Sequence, residues 1–113
     1  MDTIFDKIIS KTIPAKIVLE TPRLLAFHDI NPQAPVHILV IPKKKAVSMD
    51  ELREWDDATV GQFFKGIAEV ARSVGLNENG YRVVLNTNLH GCQSVNYVHA
   101  HILGGHQLSG SFA

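Results

Sequence analysis

A chain of 113 residues and 12.5 kDa is one domain's worth of sequence, residues 1–113, and too short for two independent cores. With 45% hydrophobic and 19% charged residues it is too apolar to stay disordered, and a core of ordinary proportions can hold it without staples. Eleven basic residues balance eleven acidic ones, which removes the cationic excess of proteins that grip a nucleic acid backbone.

The elements follow in chain order. Residues 1–6 lack the basic and apolar regions of a secretory leader, and no apolar stretch reaches the roughly 18 residues that span a membrane. The expected setting is the cytoplasm, with the nucleus as second compartment, and no membrane partner. Ile4, Phe5, Ile8 and Ile9 recur at helical spacing, with Asp2 or Thr3 available as cap. Residues 16–20 and 24–28 read as two β-strands joined by a short turn at Pro22. Residues 37–41 are a nearly continuous apolar run ending at Pro42, as in a central strand buried on both faces. The basic run Lys43-Lys44-Lys45 reads as a solvated strand end.

Ser48 and Glu51 have the spacing of a capping box and open a short helix or turn. Asp56 and Asp57 then precede Val60, Phe63, Phe64, Ile67, Val70, Ala71 and Val74, a helical stripe that ends at a C-cap glycine, Gly75. Residues 81–85 form a further strand, residues 86–94 are polar and turn-rich, and residues 95–103 form the last strand, stopped by Gly104-Gly105. The single cysteine, Cys92, excludes an internal disulfide and fits a reducing compartment. The class is α+β: about five strands, mainly antiparallel, with one long helix and one or two short ones.

The last strand carries the chemistry. Side chains alternate along a strand, so Tyr97, His99, His101 and Leu103 share one face, while Val98, Ala100 and Ile102 turn the other toward the long helix. Two imidazoles about 7 Å apart suit one tetrahedral anion, the neutral ring as nucleophile and its neighbour as hydrogen-bond donor. His-x-His also occurs as a structural pair or as part of a metal site, with His37, His90 or His106 available as third ligand. No cysteine pair or Glu-containing motif accompanies it, so neither metal nor cofactor is expected. Asn86, Gln93, Ser94 and the backbone of residues 91–94 offer donors to an anion.

The whole pattern resembles the histidine triad (HIT) superfamily, and within it the Hint branch of purine nucleoside phosphoramidases. The likeness runs through Ile13-Pro14-Ala15-Lys16-Ile17, Leu25-Ala26-Phe27-His28-Asp29-Ile30, Pro32-Gln33-Ala34-Pro35, His37, Val40-Ile41-Pro42-Lys43-Lys44, Gly80-Tyr81-Arg82, Gln93-Ser94-Val95 and His99-x-His101 with Leu103-Gly104-Gly105. It implies a HIT-like fold and a hydrolase that cleaves the P–N bond of nucleoside 5′-phosphoramidates. In that scheme His99 attacks the α-phosphorus, His101 holds phosphoryl oxygens, Ser94 assists the leaving amine, and His37 supports the site. Asn86 and Gln93 line the pocket, Asp29 binds the ribose hydroxyls, and Ile4, Phe5, Ile8, Phe27, His28 and Ile30 form the purine cleft. Read from the residues alone, Ile4, Phe5 and Ile8 are plain core. The resemblance further implies purine nucleotides such as AMP and GMP as ligands. It also implies a homodimer built on the long helix and the final strand.

The sequence departs from the family pattern at four places. Tyr97 replaces the first signature histidine, and its phenol, with an ordinary pKa near 10, cannot shuttle protons at pH 7. Its O–H could still hydrogen-bond His37, and the alternative function is a low-turnover nucleotide-binding protein. Cys92 stands where glycine is usual, Lys45 where a histidine is common, and the tail lacks the Trp-Pro-Pro ending of animal members.

Overall fold

The computed structural model describes all 113 residues. Helix α1 (Ile4–Ile9) precedes strands β1 (Ile17–Glu20), β2 (Leu24–His28) and β3 (Val36–Pro42). A 3₁₀ helix (Met49–Glu54), helix α2 (Asp57–Ser73) and strands β4 (Tyr81–Val84) and β5 (Ala100–Gly104) complete the chain. The sheet has the order β1-β2-β3-β5-β4, and every neighbouring pair is antiparallel. This is the α+β class expected. No helix is long and apolar enough to cross a membrane.

The sheet has a core on each face. On one, Ile38 and Val40 of β3, Ala100 and Ile102 of β5, and Val98 pack against Phe63, Ile67, Val70 and Ala71 of α2. On the other, Leu39 and Ile41 of β3 join Leu25, Phe27 and Tyr97 beneath Phe5 and Ile8 of α1. The continuous apolar run of β3 is thus explained, because both of its faces are covered. Of the helical stripe, Phe64 and Val74 stay exposed at 40% and 37%.

The caps follow local chemistry. The Thr3 hydroxyl accepts from the Phe5 and Asp6 N–H groups while the Asp6 carboxylate accepts from Thr3, a complete capping box. Asp56 caps α2 through the Thr59 N–H. At its other end Leu76 N–H bonds the Ala71 carbonyl and Gly75 N–H that of Arg72, with Gly75 at φ 79°, so the helix closes in a Schellman motif. The box expected at Ser48 and Glu51 is not built. Ser48 makes no side-chain cap, and the Glu51 carboxylate accepts instead from Val47 N–H.

The last strand is shorter than expected, beginning at Ala100 rather than at residue 95. The register pairs Val40 with Ala100, so Pro42 would stand opposite Val98. Proline has no N–H to extend the ladder. Val98 N–H turns instead to the Ala46 carbonyl (2.8 Å), and Tyr97 N–H folds back onto Val95 (2.8 Å). The irregular segment that results holds the residues of greatest chemical interest.

Candidate active site

Three histidines converge on the α1 face of the sheet. His37 comes from β3 and His101 from β5, two residues out of register and so diagonal on the same face, since His37 pairs with Leu103 and His101 with Leu39. His99 lies just before β5, with its ring centroid 5.1 Å from that of His101. The strand repeat set an expectation of about 7 Å; the rings lean together because residue 99 has already left the regular strand.

The hydrogen bonds fix every tautomer. The backbone N–H of Gln33 can only donate, and it meets His37 Nδ1 at 3.0 Å. The His37 proton therefore sits on Nε2, from which it is donated to His101 Nδ1 at 2.9 Å. His101 in turn carries its proton on Nε2. The carbonyl of Tyr97 can only accept, and His99 Nδ1 donates to it at 2.7 Å. His99 Nε2 is left with a bare lone pair. No buried side-chain nitrogen or oxygen lacks a partner, so this atom, which has none, lies where solvent reaches it.

Electrostatics keep the rings neutral. Burial lowers the pKa of His37 against the pull of Asp29, whose Oδ2 lies 3.4 Å from Nε2. Burial also lowers that of His99, partly opposed by the Tyr97 carbonyl and Asp29. For His101, burial and the two neighbouring imidazoles bring it down to about 4. One ring thus offers a lone pair and its neighbour an N–H, the pair needed to attack and to hold a phosphoryl group.

The other predicted residues are distributed as follows. Phe5 is buried and packs edge-on against His99, with centroids 5.0 Å apart. Ile8 and Phe27 are buried beside it; Phe5 and Ile8 are thus core as read from the residues alone, whereas Ile4, read the same way, is 47% exposed, and Ile30 is 98% exposed. His28 is exposed at the end of β2. Asp29 follows it, with Oδ1 accepting from Asn31 N–H at 2.8 Å. Ser94 is exposed and Asn86 half-buried. The Gln93 amide is committed to backbone: it donates to the carbonyls of Val47 and Val95 and accepts from Asn88 N–H. It therefore pins the 86–94 turn.

Tyr97 does not reach His37. Its hydroxyl donates to the Pro42 carbonyl at 2.5 Å, and burial, with the Asp6 carboxylate, pushes its pKa up to about 12. The expected bond fails on register, because His37 and Pro42 lie at opposite ends of β3. Reasoning from sequence also missed the two backbone groups that set the tautomers, the Gln33 N–H and the Tyr97 carbonyl. Backbone donors leave no trace in residue identity, although the Pro32–Pro35 turn marks a rigid approach to His37.

Asp29, His37 and His101 each place a potential ligand atom within 4.8 Å of the others. They do not fit a metal ion in this arrangement. His37 Nε2 bears the proton given to His101, and its Nδ1 is occupied by Gln33.

Comparison with known proteins shows the family and the fold. The model of the HIT domain matches residues 10–108. A 14 kDa zinc-binding protein of Zea mays is 49% identical over 95% of this chain and 84% of its own. The purine nucleoside phosphoramidase of Escherichia coli strain K12 is 41% identical over 95% of this chain and 90% of its own. Among solved structures, a histidine triad protein from Clostridium difficile superposes with a TM-score of 0.90 at 40% identity, covering 98% of this chain and 96% of that one. A HIT family hydrolase from Legionella pneumophila gives a TM-score of 0.89 at 40% identity, with 96% of each chain covered. The sheet and its histidine cluster define a histidine triad protein. The chain belongs to the HIT family.

Proposed function

We propose that this chain is a HIT-family hydrolase of the purine nucleoside phosphoramidase type. It would cleave the P–N bond of nucleoside 5′-phosphoramidates. The observation that carries the reading is the fixed tautomer of His99, with Nδ1–H on the Tyr97 carbonyl and Nε2 bare. The similarity to the Escherichia coli phosphoramidase supports the substrate class.

In the first step the His99 Nε2 lone pair attacks the α-phosphorus. A new N–P bond forms, the scissile P–N bond breaks, and the amine departs with a proton taken from solvent through the Ser94 hydroxyl, which the attacking water gives back in the second step. His101 Nε2–H holds a phosphoryl oxygen as negative charge gathers there. His37 keeps that proton in place by donating to the opposite side of the His101 ring. Ser94, exposed and five residues before the nucleophile, is the hydroxyl that serves the leaving amine. Water then attacks phosphorus, the N–P bond to His99 breaks, and nucleoside monophosphate leaves.

The nucleoside end uses surfaces already in place. Ile4 and Ile30 are exposed apolar side chains and Phe5, Ile8 and Phe27 are buried; with the exposed His28 they would line the purine cleft. Asp29 is the acceptor for the ribose hydroxyls. A homodimer fits this reading, with AMP, GMP and their phosphoramidates as ligands. β5 is interior in the sheet, so copies would pair through an edge strand, β1 or β4, together with α2; Tyr81 and Val83 of β4 and Phe64 of α2 are exposed.

The second reading is a nucleotide-binding protein with low turnover. Tyr97, with its hydroxyl spent on Pro42, brings no mobile proton to the site. The two separate by following amine release from adenosine 5′-phosphoramidate. Turnover that His99→Ala abolishes supports hydrolysis; AMP binding without turnover in the unaltered protein rejects it.

A further inference from the structure

The site depends on a helix of only six residues, Ile4–Ile9, too short to hold itself in water. Its buried Phe5 touches the nucleophile of the proposed reaction, so whatever fixes α1 also bears on His99. One ammonium fastens the N-terminal turn. Lys45 Nζ donates to Asp6 Oδ2 at 2.9 Å and to the Met1 carbonyl at 2.7 Å, joining the exit of β3 to the start of the chain. Burial acts to raise the Asp6 pKa, but hydrogen bonds from Thr3 and Lys45 outweigh it and hold the carboxyl below its ordinary value.

The same ammonium lies 5.8 Å over the ring of Tyr97. That ring is buried, is anchored by its hydroxyl to Pro42, and meets the Phe5 ring edge-on at 6.3 Å. Phe5 then meets Phe27 at 5.7 Å and His99 at 5.0 Å, the latter with planes at 77°. Two of the positions that depart from the family pattern by replacing a histidine, 45 and 97, therefore meet at one helix turn. Beyond the other end of α1, Lys11 and Lys43 share the Glu20 carboxylate, an independent restraint.

We propose that Lys45 and Tyr97 form a clasp that presses α1, through Phe5, against the imidazole of His99, so that Lys45 is a positioning residue for the nucleophile. The proposal rests on the hydrolytic reading above. An imidazole held on one side by the Tyr97 carbonyl and on another by the Phe5 ring keeps its lone pair aimed in one direction. Loss of such aim lowers the rate of the chemical step more than the affinity for substrate.

The test compares Lys45→Met and Lys45→Arg with the unaltered protein. The Lys45 side chain is 37% exposed, so neither change disturbs the core. Three quantities are read: kcat and KM for adenosine 5′-phosphoramidate, the His99 ring-proton resonances, and amide exchange in α1. In Lys45→Met, kcat falls about three- to tenfold while KM changes less, the expected scale for a nucleophile that has lost its alignment. The His99 resonances move, α1 amides exchange faster, and Lys45→Arg recovers most of the rate. An unchanged kcat with unmoved His99 resonances overturns the clasp, even if the melting temperature falls. So does an arginine variant no better than methionine. If the unaltered protein releases no amine, the hydrolytic reading fails; the resonances and exchange rates still decide whether the clasp holds the ring.

Discussion

His37 Nε2 stands 2.9 Å from His101 Nδ1, and the proton between them belongs to His37, because a backbone N–H already occupies its other nitrogen. The relationship spans two neighbouring strands and needs no mobile side chain. It makes His101 a donor toward the open side of the site.

Replacing His37 removes that orientation without touching substrate. His37→Ala leaves His101 free to exchange tautomers, and kcat is expected to fall roughly ten- to hundredfold, the order seen when a partner that orients a reactive group is lost. KM changes less. Steady-state kinetics with the phosphoramidate check the split between the two.

Acid acts on both rate and stability. All three histidines have folded-state pKa values below the ordinary 6.5, His101 at about 4. In this window the unfolded chain binds more protons than the folded one, so stability rises with pH. The contribution is fully present above pH 6.5 and is lost as pH falls through the folded-state values toward about 4. The rate keeps its neutral-pH value to below 6.5 and then declines as His99 gains a proton. Parallel pH profiles of kcat/KM and melting temperature test this. A rate that rises as pH drops from 7 to 5 contradicts it.

Tyr97→Phe keeps the ring and removes only the hydroxyl bond to Pro42. The Pro42 carbonyl then loses its donor, at a cost of about 1–2 kcal/mol. Activity is expected to persist at more than about half its value, since the tyrosine hydroxyl reaches none of the three histidines and the ring that meets Lys45 and Phe5 is kept. Denaturant unfolding and amine release measure the two effects separately. Tyr97→His puts an imidazole in a site shaped for a phenol, and the same assays show whether this position tunes turnover.

Cys92 occupies the left-handed region, at φ 60°, where a side chain is strained. Cys92→Gly relieves the strain but adds freedom to the unfolded chain, leaving a net stabilisation of up to about 1 kcal/mol. Thermal unfolding reads it directly. The 86–94 turn is also tight at Gly91, where a Cβ would come within 2.7 Å of the Thr87 carbonyl oxygen. Gly91→Ala is expected to disturb the turn and with it the Gln93 anchor.

Most of the scaffold was legible because patterning and local chemistry agreed. The apolar run before Pro42, the stripe of α2 and the cap at Gly75 each named their element and its end. Alternation also assigned Val98, Ala100 and Ile102 to the helix side of the sheet. The start of β5 was not legible, because it depends on which residue faces Pro42 across the ladder, a matter of register. In the site, the histidines were legible as residues but not as tautomers. Their protons are set by the Gln33 N–H and the Tyr97 carbonyl, which any residue would supply. The Lys45–Asp6 contact joins positions 39 apart, a separation at which charge patterning says nothing.

The central claim is that His99 Nε2 bonds to phosphorus. The direct measurement is a single turnover with adenosine 5′-phosphoramidate quenched in alkaline denaturant, where a phosphorus–imidazole bond survives, followed by intact-mass and peptide mass spectrometry without acid. The predicted result is a transient adenylyl group on the peptide carrying His99, absent in His99→Ala. Amine release that proceeds without any such adduct, or at an equal rate in His99→Ala, contradicts the account.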